Sequence, residues 1–358
     1  MNKNKLIMKW MVLGALLAGC ENADKEFDDF EYQTISFATQ TPVRTITLGE
    51  DVYPTELDNE YRMQIIATLG GIWDNRKERV AQIAIDNDLC RGAYFANGNP
   101  VLPMPENYYT YTSGNVVFPK GEIYGRMDIQ LTDAFFNDAL APELTYVIPV
   151  RLVQGSDSIL QGKPKDNVSN PNRLNAGDWD VLPKDYALYA VTYKNKYEGL
   201  WLSRGTDRFN INGRTSTVER NPAIEKADER ALGTIALNKV RYPITVSVDV
   251  VNEQGEAAKQ NLNMDLLITL DDNGNCTITT DTPDATASGS GKWTYHGAKK
   301  AWGDKDRDLF ELTYEVTYPP YVLNVVTGEM GTASCSSEDT LVARDRQSKF
   351  ETFNVVLK

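Results

Sequence analysis

Apolar and polar side chains alternate with a period of two along most of this chain, and long helical periodicity is nearly absent. Ile123, Gly125, Met127, Ile129 and Leu131 alternate with Tyr124, Arg126, Asp128 and Gln130. Tyr146, Ile148, Val150 and Leu152 repeat the pattern, as do Ala81, Ile83 and Ile85. Each set predicts a strand with one face buried and one wet. Thr34–Phe37, Val43–Leu48 and Arg62–Leu69 are further candidate strands. Between the two strongest strands, Thr132 or Asp133 is placed to cap a single helical turn over 132–138. An antiparallel sandwich over 32–153 is the economical arrangement.

From Gln154 to Asp185 the alternation collapses into Gly, Pro, Asn, Ser and Asp. Lys163-Pro164, Asn170-Pro171 and Leu182-Pro183 bar regular helix there, because a proline pushes the residue before it out of the helical region. Residues 154–186 are expected to form a linker, packed in part by Trp179 and Leu182. Strands resume at Leu188–Tyr193 and Tyr197–Leu202, and Ile244, Val246, Val248 and Val250 form another alternating set. Met264–Leu270 leads into Asp271-Asp272-Asn273-Gly274-Asn275, a hairpin turn because Asn-Gly accepts positive φ. Phe310, Leu312, Tyr314, Val316 and Tyr318 line one face of a later strand, and Leu341–Ala343 and Thr352–Leu357 finish the chain. Val218 to Leu232, with Glu219, Arg220, Glu225, Lys226, Asp228, Glu229 and Arg230, reads as a charged helical insertion. The expected fold is all-β, with a second sandwich or a closed barrel over 187–358.

A length of 358 residues, less a leader, suits two domains, and 41% hydrophobic residues suffice to fill two cores. A formal net charge of -13 argues against nucleic acid and anionic membrane surfaces as partners. Beyond Cys20, the cysteines Cys90, Cys276 and Cys335 are scattered, with no CxxC pair and no metal spacing. Burial as small apolar side chains is their expected role, with a Cys276–Cys335 disulfide as the alternative.

The first residues carry a different signal. Lys3, Lys5 and Lys9 give a basic start, and Met11 to Gly19 is an apolar run too short to span a bilayer. The run ends Leu17-Ala18-Gly19-Cys20, which resembles the lipobox of bacterial lipoproteins. Residues 1–19 then read as a cleaved signal peptide and Cys20 as the lipidated residue, the thiol being the one local nucleophile able to take a diacylglycerol. A plain signal peptide with a chance cysteine is the alternative. Residues 20–31 form an acidic tether (Glu21, Asp24, Glu26, Asp28, Asp29, Glu31). It resembles the surface-export signal of Bacteroidota lipoproteins, and otherwise is a solvated spacer. The implied location is the outer membrane, lipid-anchored, at the cell surface.

Three blocks carry a second resemblance: Val116-Val117-Phe118-Pro119-Lys120-Gly121-Glu122-Ile123-Tyr124, then Ile129 to Phe136, then Thr145-Tyr146-Val147-Ile148-Pro149-Val150. Together they look like the N-terminal module of Bacteroidota surface lipoproteins, some of which carry endo-glycosidase domains. The resemblance covers roughly residues 30–165 and implies an immunoglobulin-like sandwich with no assigned activity. Nothing in 187–358 resembles the (β/α)8 barrel of such a glycosidase. The second half is similar to the β-rich C-terminal domains that accompany this module in glycan-utilisation lipoproteins. Gly199-Leu200-Trp201 resembles the lipocalin G-x-W, which favours a barrel over a second sandwich.

Catalytic chemistry is not legible. His296 is the only histidine, at a strand end, and no G-x-S-x-G, H-E-x-x-H or phosphate-binding loop occurs. No local pattern singles out a pair of carboxylates for glycoside cleavage. No enzyme activity and no cofactor are expected. Asp304, Asp306 and Asp308 alternate as calcium ligands would, but Lys305 and Arg307 between them favour a solvated turn. For sugar binding the relevant groups are flat aromatic faces in polar loops. Trp302, Tyr108 with Tyr109 and Tyr111, and Trp73 are the candidates, and partial burial under a loop is the alternative for each. Trp201 and Trp293, within strands, are assigned to the core. Asp157-Ser158-Ile159 and Asp339-Thr340-Leu341 resemble the acceptor of Bacteroidota O-glycosylation, with Ser158 at the linker's start and Thr340 at a strand start. The function expected is a surface lipoprotein of a glycan-acquisition system that binds polysaccharide or oligosaccharide, or supports an outer-membrane glycan-uptake partner. A structural or adhesion lipoprotein contacting other proteins is the alternative, and a hydrolase with an unrecognised site is the third.

Overall fold

The computed structural model describes residues 29–220 and 222–358. The expected signal peptide, Cys20 and most of the tether lie outside the described residues. The fold is all-β, with an N-terminal sandwich and a C-terminal barrel.

The sandwich is one sheet folded over on itself. Its strands run in the order Ser158–Ile159, Thr34–Ser36, Arg62–Gly70, Tyr124–Leu131, Asn115–Phe118, Arg79–Ile85, Tyr146–Gly155, Tyr186–Lys194, Pro42–Thr47 and Glu351–Thr352. The single pair Val117–Arg126 joins its two halves, whose inward faces share a core built around Ile35, Phe37, Ile46, Met63, Ile65 and Phe118. The predicted helical turn is Asp133–Phe136, which drives Phe135 and Phe136 into that core. Thr132 stands at its N-cap, but the hydroxyl bonds Asn107 O (2.8 Å) instead of the helix.

Two boundaries differ from the sequence reading. The strand Tyr186–Lys194, expected in the second domain, lies inside the sandwich, antiparallel to Tyr146–Gly155 and parallel to Pro42–Thr47. Eight consecutive buried residues, Tyr186 to Tyr193, suit a strand covered on both faces. The expected linker is consequently held against the sandwich. Ser158–Ile159 pairs with Thr34–Ile35, Arg173 bonds the buried Asp185 (2.8 Å), and the buried Trp179 donates to Asn172 O (2.8 Å). Leu182 is exposed.

Eight antiparallel strands form the barrel: Gly199–Ile211, Asp228–Ala236, Lys239–Val251, Ala257–Leu270, Asn275–Thr280, Thr286–Ala298, Arg307–Thr317 and Ala333–Asp345. The charged stretch expected to be helical is instead the end of an outlying strand, Arg214–Glu219, one 3-10 turn (Ile224–Lys226), and the barrel strand Asp228–Ala236. Inward-facing residues fill the interior, among them Val240, Leu266, Ile268, Phe310 and Leu341. Trp201 is buried against Phe310 (ring centroids 4.9 Å) and donates to Tyr197 O (3.1 Å), so it stops one end of the barrel. Half-buried Trp293 packs beside it on Tyr197. Cys90, Cys276 and Cys335 are free and buried, which pushes the Cys276 thiol up to about 11.

The two domains are bound tightly together. Asn195 directly follows the sandwich strand, and its side chain donates to Ala236 O (2.7 Å) and Lys239 O (3.0 Å) of the barrel. Arg346, just past the last barrel strand, donates to Leu48 O (3.1 Å), Lys196 O (3.2 Å) and Asn195 O (2.5 Å). The chain then returns to the sandwich, where Glu351–Thr352 pairs with Pro42–Val43 and Val355–Leu357 with Ala93–Phe95.

Candidate functional site

The barrel is closed at one end and split at the other. Asp228–Ala236 closes it by pairing Asp228–Leu232 with Gly199–Ser203 on one side and Gly233–Ala236 with Lys239–Arg241 on the other. Past that staggered strand the two neighbours part. Thr206–Ile211 takes Arg214–Glu219 as its partner, while Tyr242–Val250 pairs only with Ala258–Leu266 among the described residues. One edge of Tyr242–Val250 therefore faces a seam in the barrel wall.

A polar cluster sits at the base of this seam. Arg220 folds inward where Gly205 leaves room; a Cβ there would overlap Glu338 O and lie 2.8 Å from the Arg220 guanidinium. Arg220 bonds Asp339, bonds Ser203 Oγ (2.6 Å) and lies 3.2 Å from an Asp207 oxygen. Tyr242 and Tyr314 both donate to the second oxygen of Asp339 at 2.9 Å. Ser337 donates to Asp207 (2.6 Å). Burial alone would disfavour the Arg220 charge, but the attraction and hydrogen bond of Asp339 outweigh it and raise its pKa. Burial, followed by the charge of Asp339, likewise raises Tyr242. Arg220 thus faces two carboxylates. Asp339 already accepts from Arg220 and two phenols, which leaves Asp207 as the acceptor with more spare capacity. Asp207 opens into a cavity of about 140 Å³ whose other walls include Phe209, Ile244, Tyr318, Arg230 and Cys335.

None of these residues was a sequence candidate. The signal was present in their parity: Asp339 occupies an inward position in the run Ala333, Cys335, Ser337, Asp339, Leu341, and Asp207 lies between Ser203 and Phe209 on the same face of the first barrel strand. Acidic residues at core positions are almost never buried without a partner, so a paired cation was to be sought.

The aromatic candidates scatter. Tyr108 is half-buried and donates to Asp138 (2.6 Å), which also accepts from Tyr146 (2.7 Å), so Tyr108 is tied into a structural cluster. Tyr109 is 6% exposed and cannot serve as an open platform, because it packs into the sandwich core. Tyr111 is exposed and stacks on Tyr109 at 6.3 Å. Trp302 is half-buried in a turn with the Arg344 guanidinium 5.7 Å from its ring centre. Trp73 is 75% exposed on the sandwich. Ser158 is exposed, although Asp157 beside it is consumed by a buried pair with Arg79. Thr340 is not at a strand start. It lies within Ala333–Asp345, paired to Arg204 on one side and Glu311 on the other, which removes its backbone from any modifying enzyme.

Comparison with known proteins places the whole chain. A crystallised Bacteroides ovatus protein of unknown function is 34% identical, with a TM-score of 0.79 over 92% of this chain and 100% of that one. The chain belongs to that protein's family. The model for a domain of unknown function, DUF5627, matches residues 196–347, and a model for an N-terminal domain matches residues 30–159. A Bacteroides thetaiotaomicron protein described as an auxiliary nutrient binding protein is 13% identical, with a TM-score of 0.39 over 86% of this chain and 95% of that one. No curated protein matches the chain.

The calcium candidates in this family member do not converge. Asp306 bonds Lys299 Nζ and Lys300 N, each at 3.0 Å, while Asp308 accepts from His296 N (2.9 Å). No group of three His, Cys or carboxylate side chains stands together as a metal site among the described residues. Burial holds Asp308 above the usual carboxylate range, against the hydrogen bond from His296 N. A carboxyl raised in this way contributes stability that is complete below its unfolded pKa of ~3.9 and lost as pH rises through the folded value. Asp308→Asn removes the charge and keeps an oxygen for the His296 N–H. It is expected to raise the melting temperature at neutral pH and to leave it unchanged near pH ~3, where the wild type is protonated. Calorimetric melts at both pH values check this, and a drop at neutral pH would contradict it.

Proposed function

We propose that the protein is a non-catalytic glycan-binding lipoprotein of the cell surface, anchored at Cys20 and serving a glycan-acquisition system, with one sugar ring entering the barrel seam. The observation that carries this reading is the seam cavity, where Asp207 can accept from sugar hydroxyls beside the Phe209 and Tyr318 rings. Its size is comparable with the ~150 Å³ cavity that admits benzene, so the seam takes one edge of a sugar ring and not an extended chain. Phenol, guanidinium, hydroxyl and carboxylate groups on this wall complement a polyol, while the aromatic and aliphatic faces take its C–H patches.

Affinity is expected in the micromolar-to-millimolar range, about -4 to -8 kcal/mol, because so small a contact removes little area from water. Asp207→Asn and Phe209→Ala, each in the full chain, are expected to abolish retention on a polysaccharide panel in affinity gels. Their melting temperatures report whether the barrel is intact. Retained binding in both, with loss in Trp302→Ala or in Tyr111→Ala, would move the site to those aromatics.

A second reading is favoured by the unpaired edge of Tyr242–Val250, which could accept an extended segment of a partner protein. Amide exchange separates the two: a strand partner slows exchange along 242–250, while a sugar in the cavity does not.

A further inference from the structure

The end of the sandwich remote from the barrel carries a cluster of exposed aromatic residues. The strand Arg62–Gly70 starts beside the barrel, where Tyr61 and Leu48 share a cavity with Lys196, Tyr197 and Leu270. At about 3.3 Å per residue it ends some 25 Å away, at the turn after Gly70. There Phe30 N donates to Gly71 O (3.0 Å) and Trp73 N to Asp29 (2.6 Å). Gly71 adopts φ +74°, and a Cβ on it would fall 2.7 Å from Tyr32 O, so the entering chain lies directly on the turn. Phe30, Tyr32 and Trp73 are 72%, 68% and 75% exposed on this base. Buried Asn75 stiffens the base by donating to Pro119 O (2.8 Å) and Glu122 O (2.9 Å), and the same loop leads to the exposed Tyr124.

We infer that this end docks on the bilayer that holds the anchor, with Phe30, Tyr32 and Trp73 set into its headgroup zone. The inference rests on the reading of Cys20 as the lipidated residue. From Cys20 to Asp29 the chain spans nine residues, at most ~30 Å when extended, and the described residues begin at this patch. The patch is therefore confined near the lipid surface. Tryptophan and tyrosine favour that zone because their rings are apolar and their N–H and O–H groups remain wet. Local charge is mixed, with exposed Arg76 and Lys77 against Asp29, Glu31, Asp74 and Glu78. The surface fitted is consequently a zwitterionic one, and docking is expected to be insensitive to salt.

The test uses the full chain as its host processes it, reconstituted in phosphatidylcholine and phosphatidylethanolamine vesicles with brominated acyl chains as quencher. Trp179 and Trp201 are buried and Trp293 and Trp302 belong to the barrel, so quenching reports Trp73. The expected result is partial quenching in the wild type, lost in Trp73→Ala and reduced in Phe30→Ala with Tyr32→Ala. Intact mass reports the lipid independently. A lipidated protein without quenching, or with equal quenching in Trp73→Ala, overturns the docking and leaves the anchor standing. A chain carrying no lipid overturns both. Unchanged quenching together with lost glycan retention in Trp73→Ala would make the patch a sugar platform instead and overturn the docking.

Discussion

Arg220→Ala is expected to destabilise the barrel by about 3–5 kcal/mol, because it strands two carboxylates inside the wall without their cation. Asp339 is 3% exposed and keeps its two phenol donors, and Asp207 keeps Ser337, among the described residues. At ~2–4 °C per kcal/mol for a domain of this size, the barrel transition should fall by roughly 10 °C. The double variant Arg220→Ala with Asp339→Ala should recover part of the loss, since it removes a charge that the single variant leaves unpaired. Urea or thermal unfolding followed by tryptophan fluorescence measures all three proteins. A single variant as stable as the wild type would show that water compensates Asp339, and that the cluster is solvated instead of sealed.

Trp201→Ala is expected to cost about 3–5 kcal/mol for a different reason, the loss of a large buried ring and the cavity it leaves. Trp201 is 2% exposed, and its removal uncovers Phe310 and breaks the bond to Tyr197 O. Trp201→Phe keeps most of the apolar volume and should cost less. The lesion lies at the stopped end and the proposed glycan site at the split end. Surviving folded protein should therefore still bind in affinity gels, whereas Asp207→Asn should not. A Trp201→Ala protein that melts with the wild type would show that the barrel end is closed by other groups.

Alternation of period two was enough to reveal the all-β class, and Asn273-Gly274 the hairpin turn; Tyr124–Leu131 is wet at alternate positions as expected, whereas Tyr146 to Val150 are buried on both faces. It failed at Tyr186–Lys194, where both faces are covered and the run carries no alternation from which to read a layer. It failed also at Asp228–Ala236, whose exposed charges resemble a solvated helix although the strand is needed to close the barrel. Gly199-Leu200-Trp201 pointed correctly to a barrel over a second sandwich. The seam escaped because its chemistry comes from distant stretches: Asp207 and Arg220 are brought to Asp339 only when the first and last barrel strands pair. The aromatic candidates were chosen for polar neighbours in sequence. Tyr109 shows how little that says about burial, since its ring turns into the core while Tyr111, two residues on, does not.

The return of the chain from the barrel to the sandwich has a consequence for the order of assembly. Val355–Leu357 pairs with Ala93–Phe95, and Phe353 packs with Phe95 and Leu188 in the small core on the sandwich's outer side. That core stays open until the final residues arrive. Domains of a growing chain ordinarily finish from the N-terminus onward, yet here the domain begun first is completed last. The barrel, contained between Gly199 and Asp345, can close in the interval. The finished molecule crosses its own domain junction twice, so a single cut at either crossing leaves the two halves joined through the other.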